Sequence, residues 1–431
     1  MNVAGMLGVL FFAVGVAASI ALHEVGHLLP AKRFGVKVTQ YMVGFGPTVW
    51  SRRRGETEYG VKVVPLGGYI RMIGMFPPHR NREGQMVVAS TATGPFRAMV
   101  DSARAQSAEE VLPGDEDRVF YRLKTHQKLV VMLGGPTMNL VIAGVLFTMA
   151  MSGFGVPQLT TKVDSVVPCV PAVGADSCAP TDPRSPALTA GVKPGDVIVA
   201  IDGQSVSDWT AAADRIRAMG GQQAVLTVQR GGVDTNLTVD VVATQRPTVD
   251  NPNKYVDAGY VGIRPALQQV RQPITAVPGQ MWDFGVRSGS AVLSIPSKMV
   301  GVWQAAFGGA TRDATGPVSL VGVGRFSAEV AADKASLSWR FSNLLMLLAA
   351  LNMALFLFNL IPLLPLDGGH VAGALYEGAK RQVARWRHRP DPGPVDVAKA
   401  LPLAYGVAFA LIGMSALLMY ADVVNPIRLG G

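Results

Sequence analysis

A 431-residue chain that is 49% hydrophobic and only 16% charged, with a positive mean hydropathy, is too apolar for an ordinary soluble protein and reads as a membrane protein with soluble parts. The formal net charge of +9 is accounted for by loops that face the cytoplasm and anionic lipid, so it calls for no nucleic-acid partner.

The first stretch, Val3 to Leu29, carries no charge before His23 and exceeds the roughly 20 apolar residues that a bilayer requires. A cleaved signal peptide would need a positive start, and "MNVAGML" has none. Near its end lies "IALHEVGHLL", Ile20 to Leu29. His23 and His27 are four apart, so on a helix they share one face. Two imidazoles so placed can bind one zinc and leave Glu24 to act on water at the metal. Ionisable groups inside a span are costly and point to function.

Residues 41–76 read as a β-hairpin, with "GPTVWSRRRGETEYGVKVVPLGGYIRM" turning near Gly55. Pro65, Gly67 and Gly68 break the regularity of its second run. Residues 77–128 form an insert with the charged stretch "GDEDRVFYRLKTHQK", expected to be a solvated, partly flexible loop. His79, His126 and His388 lack partner spacing and are expected at the surface. A second span runs from Leu129 to about Leu159, closing an N-terminal membrane half at residue 159.

Residues 160–266 look like a small soluble domain. The strand Val197–Ile201 is bounded by Gly-Asp and Asp-Gly turns, a helix follows with Ser207 or Asp208 as cap, and a hairpin turns at Gly231 and Gly232. This order resembles a circularly permuted bacterial PDZ domain. Tyr260, Gly262 and Ile263 in "YVGI" resemble the loop that borders a peptide groove, where strand addition would operate; a blocked groove acting only as a spacer is the equal alternative. The chain's two cysteines, Cys169 and Cys178, both lie here, and an oxidising compartment permits a bridge.

Residues 267–340 read as a linker with an interfacial amphipathic segment, since the apolar run 281–308 is broken by Arg287 and Lys298. The C-terminal membrane half, 341–431, holds the spans Phe341 to Leu366 and Leu401 to Ala421. Lys and Arg crowd the loops 30–128 and 371–400, which places both in the cytoplasm and leaves the N-terminus and residues 160–340 outside.

A catalytic zinc usually has three protein ligands and an open position. The spacing of one soluble protease class would put Gly at 30 and His at 33, but these are Pro30 and Arg33. Asp367 in "NLIPLLPLDGGH" ends the third span at the depth of His23 and His27; His370 is the rival.

Together these motifs resemble the site-2 protease family of intramembrane zinc metalloproteases, in its bacterial RseP-like branch with one PDZ domain. The resemblance implies a polytopic α-helical membrane protein of four transmembrane helices, with a membrane-associated β-hairpin and an inserted α+β PDZ domain. It implies one Zn²⁺ held by His23, His27 and Asp367, with Glu24 as base. Asn359 and Pro362 match the family's substrate-contacting motif, and Asn139 in "GGPTMN" matches a polar position near the site. Gly67 and Gly68 belong to a strand region that would hold a substrate extended. The implied substrates are single-span proteins of a bacterial cell membrane, such as anti-sigma factors already shortened by an upstream protease, or remnant signal peptides. The outer domain would then act as a size filter. The alternative is a catalytically silent zinc-binding adaptor or a transporter, but the chain shows no internal repeat and keeps Glu24.

Overall fold

The structure is a computed structural model that describes residues 2–77, 79–80, 86–87, 95–173, 177–247, 255–309, 311–313 and 316–427. It divides into two compact units, residues 1–154 with 272–431, and residues 155–271.

The larger unit starts with α1 (Val3–Arg33), capped by the Asn2 side chain and ending in Lys32 and Arg33, which suit a helix C-terminus. Next come β1 (Val38–Arg54) and β2 (Thr57–Met72). Trp50–Arg54 pairs with Thr57–Val61, while Tyr41 lies opposite both Tyr59 and Ile70. Among the described residues, Gly68–Met72 is therefore an outer strand, paired on one side only. Phe45, Val49, Trp50 and Val63 expose apolar side chains along the far end of this hairpin.

After the short pair β3 (His79–Arg80) and β4 (Met86–Val87) comes α2 (Pro95–Glu109). The expectation of a solvated, flexible insert fails for residues 100–124. Glu110 accepts from Nε and Nη2 of Arg71 at 2.8 and 2.6 Å, Arg118 reaches Glu56 at 2.8 Å, and Lys37 reaches Asp115 at 2.5 Å. Buried Arg104 pairs with both Asp101 and Asp396. The charges that suggested solvation are used instead to fasten the segment to the hairpin base and to a loop almost 300 residues away.

The second span, α3 (Thr125–Thr148), continues in a π-helical turn to Phe154. It crosses α1 where Gly26 meets Gly134: a Cβ on either would stand 2.3 or 2.0 Å from the other's carbonyl oxygen. Only glycine permits this approach, a common device between helices in lipid.

In the smaller unit, β5 (Val156–Val166), α4 (Pro186–Thr189), β6 (Val197–Ile201), β7 (Gln204–Ser205), α5 (Trp209–Ala218), β8 (Gln223–Arg230), β9 (Val233–Asp240), β10 (Val242–Pro247), β11 (Tyr255–Tyr260) and β12 (Ile263–Val270) follow in order. The main sheet runs β12-β5-β6-β8-β9, with β7 on β6; β10 and β11 pair separately. Ile198, Ile201, Leu226 and Val228 fill its core with Ala212 and Ile216 of α5, and Asp208 caps α5. Cys169 and Cys178 are bridged.

The chain returns through α6 (Val277–Leu293), α7 (Ile295–Phe307) and α8 (Leu320–Ala332), then α9 (Leu337–Asn359), α10 (Asp367–Trp386) and α11 (Leu401–Val424). Trp282, Leu293 and Trp303 are exposed on α6 and α7. Among the described residues, four helices are long and apolar enough to cross a membrane, namely α1, α3 with its π turn, α9, and α11 with the turn before it. The third ends at Asn359, short of the expected Leu366, because the prolines of "IPLLPLDGG" cannot continue a helix.

Candidate metal centre

His23 and His27 sit near the C-terminal end of α1, on one face, with ring centroids 4.9 Å apart. Asp367 opens α10 after the turn that leaves α9. That turn is tight: a Cβ on Gly368 would stand 2.2 Å from the Ile361 carbonyl oxygen, and one on Gly369 2.5 Å from the Leu364 nitrogen. Two glycines after the aspartate therefore let the chain fold back and deliver the carboxylate to α1.

Nε2 of His23 and Nε2 of His27 lie 3.3 Å apart, and Oδ2 of Asp367 lies 3.4 and 3.3 Å from them. Tetrahedral zinc with bonds of about 2.0–2.1 Å requires ligand atoms about 3.3–3.4 Å apart, so this triangle has the edge length of one zinc face. Oδ2 of Asp367 is buried and makes no hydrogen bond, a cost that a metal would remove. Gly135 of α3 faces the triangle, and a Cβ there would stand 2.2 Å from His27 Nε2 and 2.6 Å from His23 Cε1. The residues present fit zinc. His370 lies outside the three-ligand group.

Both imidazoles are oriented from behind. His27 Nδ1 donates to the Val131 carbonyl oxygen at 2.8 Å, which fixes the tautomer and leaves Nε2 bare toward the metal. His23 Nδ1 lies 3.1 Å from the Asn139 amide, whose Oδ1 is buried without a partner. Turning that amide over places Oδ1 on the Nδ1 proton and satisfies both groups. Asn139, expected among substrate contacts, is thus placed behind His23.

Buried Glu24 points to the hairpin. A Cβ on Gly68 would stand 2.9 Å from Glu24 Cγ, and the backbone amide of Ile70 faces its carboxylate. The Tyr41 hydroxyl donates to the Ala21 carbonyl at 2.8 Å, fastening the hairpin to α1 one turn before Glu24. The outer strand Gly68–Met72 and the metal triangle therefore flank the same carboxylate. Gly67, with positive φ, gives its space to the Phe45 ring. Asn359 is the last residue of α9, and Pro362 is exposed on the turn to Asp367.

In the smaller unit, Val261 and Gly262 do not offer free carbonyls: they accept from the amides of Ala187 and Val167 at 2.7 and 2.8 Å. Tyr260 stacks under Arg246, and Ile263 packs on the core.

Sequence reasoning missed Val131, Gly135 and the pair Lys128–Glu377. "GGPTMN" carried a visible signal in two adjacent glycines inside a span. A backbone carbonyl carries none.

Residues 11–389 match Peptidase family M50. The chain is 34% identical to the zinc metalloprotease Rip1 of Mycobacterium tuberculosis, over 98% of each chain. It is 33% identical to Rip1 of Mycolicibacterium smegmatis over the same share of each, and 23% identical to the zinc metalloprotease RasP of Oceanobacillus iheyensis, over 85% of this chain and 89% of that one. With a zinc-sized ligand triangle among four membrane-length helices, the chain belongs to peptidase family M50 and is a multi-pass intramembrane zinc metalloprotease of the site-2 type.

Proposed function

We propose that this protease cuts the membrane-spanning segments of single-span proteins, anti-sigma factors or remnant signal peptides, at a site opening to the cytoplasm, with His23, His27 and Asp367 as zinc ligands and Glu24 as base. The observation that carries this reading is the shared position of the metal triangle, Glu24 and the outer strand Gly68–Met72, which is paired on one edge only among the described residues.

A helical substrate hides its peptide groups in its own hydrogen bonds. The free edge of Gly68–Met72 offers replacement bonds to an extended segment, and the missing Cβ of Gly68 lets this strand lie close against Glu24. Asn359 and Pro362, where α9 ends, contact that segment from the other side. A zinc ion in the triangle supplies Lewis acidity, polarising the scissile carbonyl and making water more acidic. Glu24 takes the proton from the attacking water and passes it to the leaving amine. Asn139 and the Val131 carbonyl hold the imidazoles still meanwhile.

Residues 155–271 are read as a PDZ-like unit outside the cytoplasm. We assign this unit a steric role toward large ectodomains, with peptide docking beside Tyr260–Ile263 as the alternative that deletion of the unit would separate.

The test compares membrane-protein fragments in cells carrying the native chain with those carrying Glu24→Gln. Fragments ending within a span should vanish with the substitution; their persistence would remove the assignment of Glu24. Thiol labelling of Cys169 and Cys178 with an impermeant reagent, in intact cells after reduction, tests the orientation. Labelling that needs permeabilised membranes would reverse it.

A further inference from the structure

Beside the base of α10 lies a cavity of about 1010 Å³ that the proteolytic mechanism does not use. Arg122, Lys380, Arg381 and Lys399 line it together with Tyr121 and Tyr376. Two carboxylates also face it, but both are engaged. Asp396 pairs with buried Arg104 and caps the turn at Ala398, and Asp391 lies 3.3 Å from Arg381 and accepts from the Gly393 amide at 2.9 Å. Among the described residues, Lys380 and Lys399 have no carboxylate within ion-pair distance, and Arg122 has only Asp117, which is 91% exposed. The cavity therefore keeps an excess of positive charge.

Its surroundings say what kind of anion fits. Lys399 lies in the turn that begins the fourth membrane-length segment, Val397–Val424, which puts the cavity at a membrane–water boundary. Tyr376, Val383 and Trp386 form one exposed stripe on α10, with Lys380 between them, the pattern of an interfacial helix with a snorkelling lysine. A second cavity, about 400 Å³, shares Tyr376, Asp396 and Lys399 with the first and runs on between Pro362, Leu364, Ala372 and Leu403. A charged compartment thus opens into an apolar one. A soluble phosphate ester would use only the first, whereas an amphiphile uses both.

We propose that this pair of cavities binds the phosphodiester headgroup and upper acyl chain of an anionic glycerophospholipid. Basic pockets beside membrane helices are suited to such headgroups. The site adjoins the catalytic frame: its apolar end touches the turn that delivers Asp367, and Arg381 lies 3.3 Å from Glu377, which anchors α10 to α3.

The test is native mass spectrometry of the full-length protein in mild detergent, titrated with phosphatidylglycerol and with phosphatidylcholine. The native chain should retain phosphatidylglycerol preferentially. Lys380→Gln with Lys399→Gln should weaken that binding roughly tenfold, while Arg385→Gln with Arg387→Gln, at the C-terminal end and cap of α10 and outside the cavity lining, should change it less than about twofold. Glutamine keeps most of each stem, and an unchanged melting temperature in phosphatidylcholine establishes that the variant is folded; if it melts lower, Lys380→Met with Lys399→Met replaces it. Equal losses from the two pairs would overturn the proposal in favour of diffuse surface charge. Displacement of the lipid by millimolar glycerol 3-phosphate would overturn it in favour of a soluble phosphate ester.

Discussion

Nδ1 of His27 lies 2.8 Å from the carbonyl oxygen of Val131, so the second span sets the rotation of a ligand carried by the first. The expected consequences separate binding from chemistry. Glu24→Gln leaves all three ligands and should retain one zinc per chain while cleavage falls by about 10²–10⁴-fold. Asp367→Ala should weaken zinc binding at least about a hundredfold and abolish cleavage with it. Zinc per purified chain, measured by atomic emission, and cleavage of a reporter span check both. Full zinc in Asp367→Ala would remove Asp367 from the ligand set.

Gly135 gives a sharper test of the same cradle. Its missing Cβ is the nearest space to both imidazoles, so Gly135→Ala should expel the metal with little change in helix content. Asn139→Leu should lower zinc affinity about 10–100-fold, since it removes the partner of His23 without touching the triangle. Equilibrium zinc titration distinguishes these effects from unfolding.

Lys128 and Glu377 form a buried pair, with Nζ 2.9 and 2.8 Å from the two carboxylate oxygens. Lys128 stands one turn before Val131 on α3, and Glu377 lies on the helix that begins with Asp367. Removing one charge strands the other in a dry site, so Glu377→Gln should destabilise the protein by about 3–5 kcal/mol. The double change Lys128→Met with Glu377→Leu should recover most of the melting temperature. A register role for the pair predicts that zinc affinity stays low in this double variant; full recovery of both would limit the pair to stability.

In the smaller unit, Arg230 donates twice to Asp196 at 2.7 Å, holding the carboxyl below the ordinary aspartate range. A depressed pKa contributes stability above the unfolded value, near 3.9, and the contribution is lost as the pH falls through the folded value. Hydrogen-exchange protection of Val197–Ile201 in the full chain should therefore hold at pH 5 and weaken below about pH 4. Asp196→Asn should lower protection by roughly 1–2 kcal/mol at pH 7, since Arg230 is partly exposed, and should flatten the acid dependence.

Local chemistry made much of the chain readable in advance. The imidazole pair announces itself through helical spacing, and Asp367 through its place at the end of an apolar run. Span positions follow from hydropathy, and the cap of α5 from Asp208. Pairings between distant charges leave no such trace. Arg104 finds Asp396, and Lys128 finds Glu377, across sequence separations of 292 and 249 residues. Periodicity describes which face of an element is apolar, not which remote partner a charge meets. The charges of the insert suggest solvation for that reason, since they look alike whether they face water or a docked strand. The partner of Asn139 depends on a crossing of α1 and α3 that Gly26 and Gly134 allow, and no local pattern shows that crossing.

The order of the ligands along the chain has a bearing on biosynthesis. His23, Glu24 and His27 emerge from the ribosome first, in the earliest span, whereas Asp367 follows the third. On the proposed assignment, the chain holds a base and two imidazoles in the membrane throughout most of its synthesis but lacks the carboxylate that completes the metal face. A chain stalled or truncated before Asp367 is therefore inert toward its neighbours in the bilayer. Activity is then withheld until the third span has been inserted and its trailing turn has folded back onto the first.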